Sequence, residues 1–165
     1  MIIDNDKIYY VIVRKNINME ETSFSKKMLF KFLEILNIKN IKFARTNNGK
    51  PYFENCDVCF NYSHSKNFVL IAISSVELGV DIEENRFISD SVSMKYLNNI
   101  KKEDRLKYWV KKESYVKLKD NPKMLYVDID LNNIESNNYM LIGDNYIASI
   151  MYDGDEKELV KVDIN

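Results

Sequence analysis

Proline, glycine, cysteine and histidine are scarce in this chain of 165 residues, which has two prolines, four glycines, two cysteines and one histidine. So little proline and glycine excludes a collagen-like or low-complexity chain. The formal net charge of −1 shows no excess of either sign, so the composition does not indicate a nucleic acid or an anionic membrane as partner. With 45% hydrophobic and 30% charged residues, the chain has the composition of a globular protein.

The N-terminal stretch, MIIDNDKIYYVIVRK, places Asp4, Asp6 and Lys7 ahead of a short apolar run. A secretory signal has a basic start, and a membrane-spanning helix needs about 20 apolar residues. The sequence therefore predicts a cytoplasmic protein with no membrane partner, and we expect a monomer.

The two cysteines form the sequence CDVC, Cys56 and Cys59, with the C-x-x-C spacing. A zinc site needs further ligands, and the chain has a single histidine. A redox pair belongs at the start of a helix, whereas this pair lies in an apolar run that predicts a strand. We interpret both as reduced packing cysteines.

The periodicity of apolar residues predicts an α+β fold made of two similar α+β halves, 1–75 and 76–165. NFVLIAIS from Asn67 and NYIASIMY from Asn145 run alike, which favours related halves. A loop is expected at 46–53. Strands are expected at 8–13, 59–63, 68–74, 79–83, 139–142 and 146–152; helices are expected at Ser23–Leu36, capped by Thr22 or Ser23, and from about Val92 to Lys119, interrupted near Asn98 and Asn99.

Two acidic residues stand out in the predicted strand LGVDIEENR. Alternate strand residues share a face, so Asp81 and Glu83 lie side by side while Ile82 points the other way. A solvated face of an edge strand is one explanation of this pair.

A second charged pair lies in LKYWVKKESYVKLK, residues 106–119. At about 100° per residue, Glu113 and Lys117 fall within the apolar face of this predicted helix. They are either a surface pair four residues apart or inward-pointing charges. If the three carboxylates converge, they need a cation, and oxygen ligands favour Mg²⁺ shared with substrate phosphates. Lys112 and Lys117 would then neutralise phosphate charge, which indicates a pyrophosphate substrate.

His64 lies in FNYSHS, a polar turn with serine on both sides of the histidine. A single histidine is usually structural. Together with the upstream Gly-Lys-Pro, however, these residues offer hydroxyls, a lysine and an imidazole to a phosphate monoester.

These pieces resemble the signature of the 4'-phosphopantetheinyl transferases of the Sfp type. The family's motifs correspond in order to Gly49-Lys50-Pro51, Phe60–Ser65 (FNYSHS), Gly79–Glu83 (GVDIE) and Trp109–Lys117 (WVKKESYVK). Together the motifs span residues 49 to 117. The resemblance implies the family's pseudo-twofold fold of two similar α+β halves, with the metal site in the C-terminal half.

The resemblance further implies transfer of the 4'-phosphopantetheine arm of coenzyme A to a serine of an acyl or peptidyl carrier protein, with Mg²⁺ and release of 3',5'-ADP. The implied metal ligands are Asp81, Glu83 and Glu113. Glu113 and Lys117 are the implied catalytic residues. Coenzyme A would contact Gly49, Lys50, Pro51, Ser63, His64, Lys112 and Lys117, with Lys26, Lys27, Lys31 and Arg45 as further basic candidates.

The chain departs from the family pattern at two places. The segment between Glu83 and Trp109 is short and lacks a readable Phe-(Ser/Ala)-x-x-Glu, and LKDNPKML follows where a Gly-Lys-Gly loop often stands. These departures leave open a non-catalytic relative that binds coenzyme A or a carrier protein. The acidic cluster alone would also suit a Mg²⁺-dependent phosphohydrolase.

Overall fold

This computed structural model describes residues 3–15, 20–97 and 100–164. Within these ranges the chain forms short strands and three helices. The predicted break at Asn98 and Asn99 lies outside them. The strands are β1 (Lys7–Arg14), β2 (Phe43–Arg45), β3 (Pro51–Phe53), β4 (Cys59–His64), β5 (Phe68–Ser74), β6 (Leu78–Glu84), β7 (Asn137–Ile142), β8 (Tyr146–Tyr152) and β9 (Glu158–Lys161); the helices are α1 (Glu21–Ile35), α2 (Asp90–Tyr96) and α3 (Arg105–Leu118), with 3₁₀ turns at Lys102–Asp104 and Pro122–Tyr126.

The first sheet has the strand order β4-β5-β1-β9, with β1 antiparallel to β5 and parallel to β9. Helix α1 packs on one face, where its Phe32 meets Val11 and Ile71 of the sheet in one apolar cluster. Leu70 and Ala72 belong to a second cluster on the other face. Strand β5 is therefore buried on both faces, which explains its uninterrupted apolar sequence.

The second sheet has the order β6-β8-β7, all antiparallel. In β6, Leu78, Val80 and Ile82 join the cluster between the two sheets. The alternate residues of β6 face α3 instead, because successive strand side chains point to opposite sides. Asp81 and Glu83 thus lie between the sheet and α3.

Helix α3 lies very close to β6, and Gly79 permits this approach. A Cβ atom at position 79 would collide with the backbone oxygen of Ser114 and the backbone nitrogen of Leu118. Any side chain here would push α3 away from β6. The glycine therefore fixes the distance between the acidic strand and the charged helix.

The longer predicted strands and helix α1 are confirmed, and the α+β class with them. The predicted helical region from Val92 to Lys119 is divided more than expected, into α2, the 3₁₀ turn at Lys102–Asp104 and α3. The shortest strands, β2, β3 and β9, were not predicted, and β3 occupies part of the expected loop. Helix α1 begins at Glu21 with Glu20 as its N-cap, so the predicted cap at Thr22 or Ser23 is wrong. The two similar halves stay a prediction, as does the boundary at residue 75; β9 from the second segment pairs with β1 from the first.

The two cysteines are free, as predicted. Burial and the nearby Glu77 carboxylate raise the pKa of the Cys59 thiol to about 12, so the reactive thiolate is disfavoured at neutral pH. Among the helices in the described ranges, none has the length and apolar character needed to cross a membrane.

Candidate functional site

A cavity of about 450 Å³ lies where the two sheets meet α3. Its walls come from the turn before β3, from β4, β6 and α3, and from the segment that follows α3. Nine residues predicted for the site line it: Gly49, Lys50, Pro51, Ser63, His64, Asp81, Glu83, Glu113 and Lys117. The fold thus brings together side chains from all four sequence motifs.

One row of side chains along α3 faces the acidic strand. Trp109, Glu113 and Lys117 are four residues apart, so they lie on the same side of the helix. Lys117 meets Asp81 and Trp109 meets Glu83. Glu113 lies between the two contacts, at the level of the carboxylate pair.

Asp81, Ser63 and Lys117 form a hydrogen-bonded triangle that joins β6, β4 and α3. The Lys117 ammonium donates to Asp81 Oδ1 at 2.7 Å and to Ser63 Oγ at 3.1 Å, and the Ser63 hydroxyl donates to Asp81 Oδ1 at 2.9 Å. Asp81 is only 5% exposed, which excludes the solvated edge-strand explanation for this residue. Its Oδ2 atom is buried and has no hydrogen-bond partner among the described residues.

Glu83 receives hydrogen bonds from two directions. Arg86 donates Nε to Oε2 at 3.1 Å and Nη2 to Oε1 at 2.9 Å. The Trp109 indole donates to Oε1 at 3.2 Å. Glu83 therefore connects the loop after β6 with helix α3.

The Glu113 carboxyl is half-buried, and its pKa lies above the ordinary value of 4.5. Burial is the main cause, followed by the charge of Asp81, and Glu83 adds to the rise. Lys117 opposes it. A carboxylate with a raised pKa is a stronger base at neutral pH, which suits Glu113 to accept a proton.

Lys112 is a predicted site residue that does not line this cavity. It is 2% exposed, and its ammonium donates to the carbonyl oxygens of Tyr96 at 2.6 Å and Val127 at 2.9 Å. One step along a helix rotates the side chain by about 100°, so Lys112 faces α2 while Glu113 faces the cavity. We therefore correct its assignment from a pyrophosphate contact to a structural contact that fastens α2 to α3.

The turn at Thr46–Pro51 is fixed against the end of α3. Gly49 has a φ of 91°, which favours glycine. Asn48 donates its side-chain amide to the Asp120 carbonyl at 2.6 Å, and the Lys50 ammonium pairs with Glu77 at 2.5 Å. These contacts hold the Gly-Lys-Pro turn at the mouth of the cavity.

A divalent cation suits these donors by chemistry. The carboxylates of Asp81, Glu83 and Glu113 offer oxygen ligands, and the unpartnered Asp81 Oδ2 has a free position for one more partner. Across residues 3–15, 20–97 and 100–164, no three His, Cys, Asp or Glu side chains are grouped so that they could hold a metal ion. In this arrangement Lys117 and Arg86 supply the positive charge.

The chain is 30% identical over 144 residues to the 4'-phosphopantetheinyl transferase gsp of Aneurinibacillus migulanus. The similarity supports a relationship to the 4'-phosphopantetheinyl transferases. The match covers 79% of this chain and 56% of the relative, so the chain spans about half the length of the curated relative it matches. No family model matches the chain. The Sfp type stays a prediction.

A second cavity, of about 580 Å³, adjoins the first and shares Pro51 and Tyr62 with it. Two of the basic candidates, Lys26 and Arg45, line this second cavity. Arg45 donates to the Gly49 carbonyl oxygen at 2.7 Å, which ties it to the turn between the two spaces.

Asn61 is a site residue that the sequence reasoning missed. It is 4% exposed, lines the first cavity and accepts a hydrogen bond from the backbone N–H of Val80 at 3.1 Å. This bond links the two sheets beside Asp81. The available signal was an asparagine inside a strand, where asparagine is uncommon.

Proposed function

We propose that this protein transfers the 4'-phosphopantetheine arm of coenzyme A to a serine of an acyl or peptidyl carrier protein, releasing 3',5'-ADP. One observation carries the proposal: side chains from four separate motifs, three carboxylates and Lys117 among them, line a single cavity. The similarity to the Aneurinibacillus migulanus protein supports the same chemistry.

In the proposed reaction, the serine oxygen of the carrier bonds to the β-phosphorus of coenzyme A. The bond from that phosphorus to the bridging oxygen breaks, and 3',5'-ADP leaves with the electron pair. Glu113 is the proposed acceptor of the serine proton, because the raised pKa of its half-buried carboxyl makes the carboxylate a stronger base. Lys117 is the proposed group that neutralises charge on the pyrophosphate.

Mg²⁺ is the proposed cofactor, held by Asp81, Glu83 and Glu113. When bound, it would neutralise charge on the pyrophosphate oxygens. Hydrogen bonds hold two of these carboxylates in position. Asp81 is bound by Ser63 and Lys117, and Glu83 is bound by Arg86 and Trp109. These contacts keep the carboxylates oriented toward α3.

The adjoining cavities suit an elongated ligand such as coenzyme A. We place the pyrophosphate beside Lys117 and the 3'-phosphate near His64, with Lys26 and Arg45 as further partners for the nucleotide end. Pro51 and Tyr62 would lie between the two parts of the ligand, because they border both cavities.

The test is incubation of the protein with coenzyme A, Mg²⁺ and a panel of apo carrier proteins, followed by mass spectrometry of each carrier. The proposal predicts that at least one carrier gains the mass of phosphopantetheine and that 3',5'-ADP appears in equal amount. Binding of coenzyme A with no gain on any carrier would instead indicate a non-catalytic relative. Breakdown of coenzyme A without a carrier would indicate a hydrolase.

A further inference from the structure

The Glu83 carboxylate is already paired with a cation of this chain. The Arg86 guanidinium donates one hydrogen bond to each Glu83 oxygen, at 3.1 and 2.9 Å. This two-point contact is the favoured geometry for arginine and a carboxylate. Arg86 follows the end of β6, and its side chain is 45% exposed, against 22% for Glu83. The Arg86 side chain can therefore adopt a solvent-exposed conformation without disturbing the core.

We propose that Arg86 is a built-in competitor for the divalent cation at the acidic site. The inference rests on the proposed function, since it takes Glu83 as a metal ligand. Two cations beside the same carboxylate repel each other, so a divalent ion binds Glu83 only as Arg86 withdraws. Arg86 thereby weakens the resting affinity of the site for the metal and keeps the carboxylates compensated when no metal is bound.

The Asp81 carboxylate differs from that of Glu83 in a way that supports this division of roles. Its Oδ2 atom is buried and has no partner within the described ranges, so one oxygen of the pair is open to a ligand. At Glu83 both oxygens accept hydrogen bonds. Each carboxylate has a cation of the chain beside it, Lys117 at Asp81 Oδ1 and Arg86 at Glu83. Arg86 differs in that it engages both oxygens of its partner and is the more exposed of the two, at 45% against 30% for Lys117.

Trp109 gives the competition an optical signal. It is the only tryptophan of the chain, and its indole N–H donates to Glu83 Oε1 at 3.2 Å. Occupation of this oxygen by a cation changes the polar environment of the indole. We expect tryptophan emission to follow metal binding in the absence of coenzyme A and of any carrier.

The experiment titrates MgCl₂ into wild type, Arg86→Gln and Arg86→Lys by isothermal calorimetry and by Trp109 fluorescence. Lys161→Gln, at an exposed position of β9, is the control for the loss of one positive charge. Removal of a partly exposed competing charge should tighten Mg²⁺ binding by about threefold to tenfold in Arg86→Gln. The Lys161→Gln protein should bind as wild type does, and Arg86→Lys should lie closer to wild type than to Arg86→Gln.

Equal or weaker Mg²⁺ binding by Arg86→Gln would overturn the inference, as would an absence of Mg²⁺ binding by both proteins. A lower unfolding temperature with unchanged affinity would reduce Arg86 to a loop contact. The carrier assay tests the transferase proposal separately. Tighter Mg²⁺ binding by Arg86→Gln without transfer to any carrier would support the role of Arg86 and contradict the transferase function. Transfer with unchanged Mg²⁺ affinity would support the function and contradict the role of Arg86.

Discussion

The triangle of Asp81, Ser63 and Lys117 leads to a prediction about folding stability. Lys117→Met removes the ammonium while nearly keeping the length of the side chain. Asp81, 5% exposed, is then left as a buried carboxylate whose remaining hydrogen-bond partner among the described residues is the Ser63 hydroxyl. Asp81→Asn removes the opposite charge and keeps an oxygen that can accept from Ser63.

Breaking a fully buried pair from one side costs about 3 to 5 kcal/mol. Because the Lys117 side chain is 30% exposed, water compensates part of the loss, and we expect about 2 to 3 kcal/mol for Lys117→Met. The double variant leaves no charge unpaired, so it should cost less than the sum of the single changes. We expect a coupling energy of about 1 to 2 kcal/mol.

The assay is urea unfolding of wild type, both single variants and the double variant. A second cycle on Lys119 and Asp153 provides the control, because these residues also pair at 2.7 Å but the side chains are 33% and 52% exposed. Its coupling should be about 0 to 1 kcal/mol. Equal coupling in the two cycles would refute the argument that burial makes the Asp81–Lys117 contact matter.

Three further changes have distinct outcomes. Glu113→Gln should flatten the pH dependence of the free energy of unfolding. Because the pKa of Glu113 is raised in the folded protein, its ionisation destabilises the wild-type fold increasingly as pH rises above 4.5 and through the native pKa. Urea midpoints that differ equally little between the two proteins across this range would show that the carboxyl is unperturbed. Gly79→Ala should destabilise the fold by about 2 to 3 kcal/mol because of the collision with α3, against about 1 kcal/mol for Gly49→Ala, where only the positive φ is strained; equal losses on urea unfolding would contradict the close-approach argument. His64→Ala should weaken coenzyme A binding by about 1.5 to 3 kcal/mol and leave 3'-dephospho-coenzyme A almost unaffected in calorimetry, whereas an equal loss for both ligands would make His64 structural.

The strand and helix periods predict much of the site. Alternation in β6 places Asp81 and Glu83 on one face, and the four-residue spacing of α3 places Glu113 and Lys117 on another. The close approach of α3 to β6 at Gly79 brings these two faces together. No local sequence pattern predicts the distance between the helix and the strand. The motif resemblance, which depends on the whole set of residues, anticipates the shared cavity.

The position of the Lys112 side chain could not be predicted from the neighbouring sequence. Its neighbours in sequence suggest a role beside Glu113, yet its direction is decided by α2 and by the 3₁₀ turn at Pro122–Tyr126, which present carbonyl oxygens to it. Such tertiary partners have no signature in the sequence. Likewise, β2, β3 and β9 have only three or four residues each, too few for a periodic pattern to indicate a strand.

The proposed phosphopantetheine transfer requires that the cavity lined by β4, β6 and α3 carries out the reaction. Mass spectrometry tests this requirement by measuring holo-carrier formation for wild type, Glu113→Gln and Lys119→Gln, each checked for native unfolding behaviour. We expect transfer by wild type and by Lys119→Gln, and none by folded Glu113→Gln. Transfer by Glu113→Gln at the wild-type rate, with the same dependence on Mg²⁺, would contradict it.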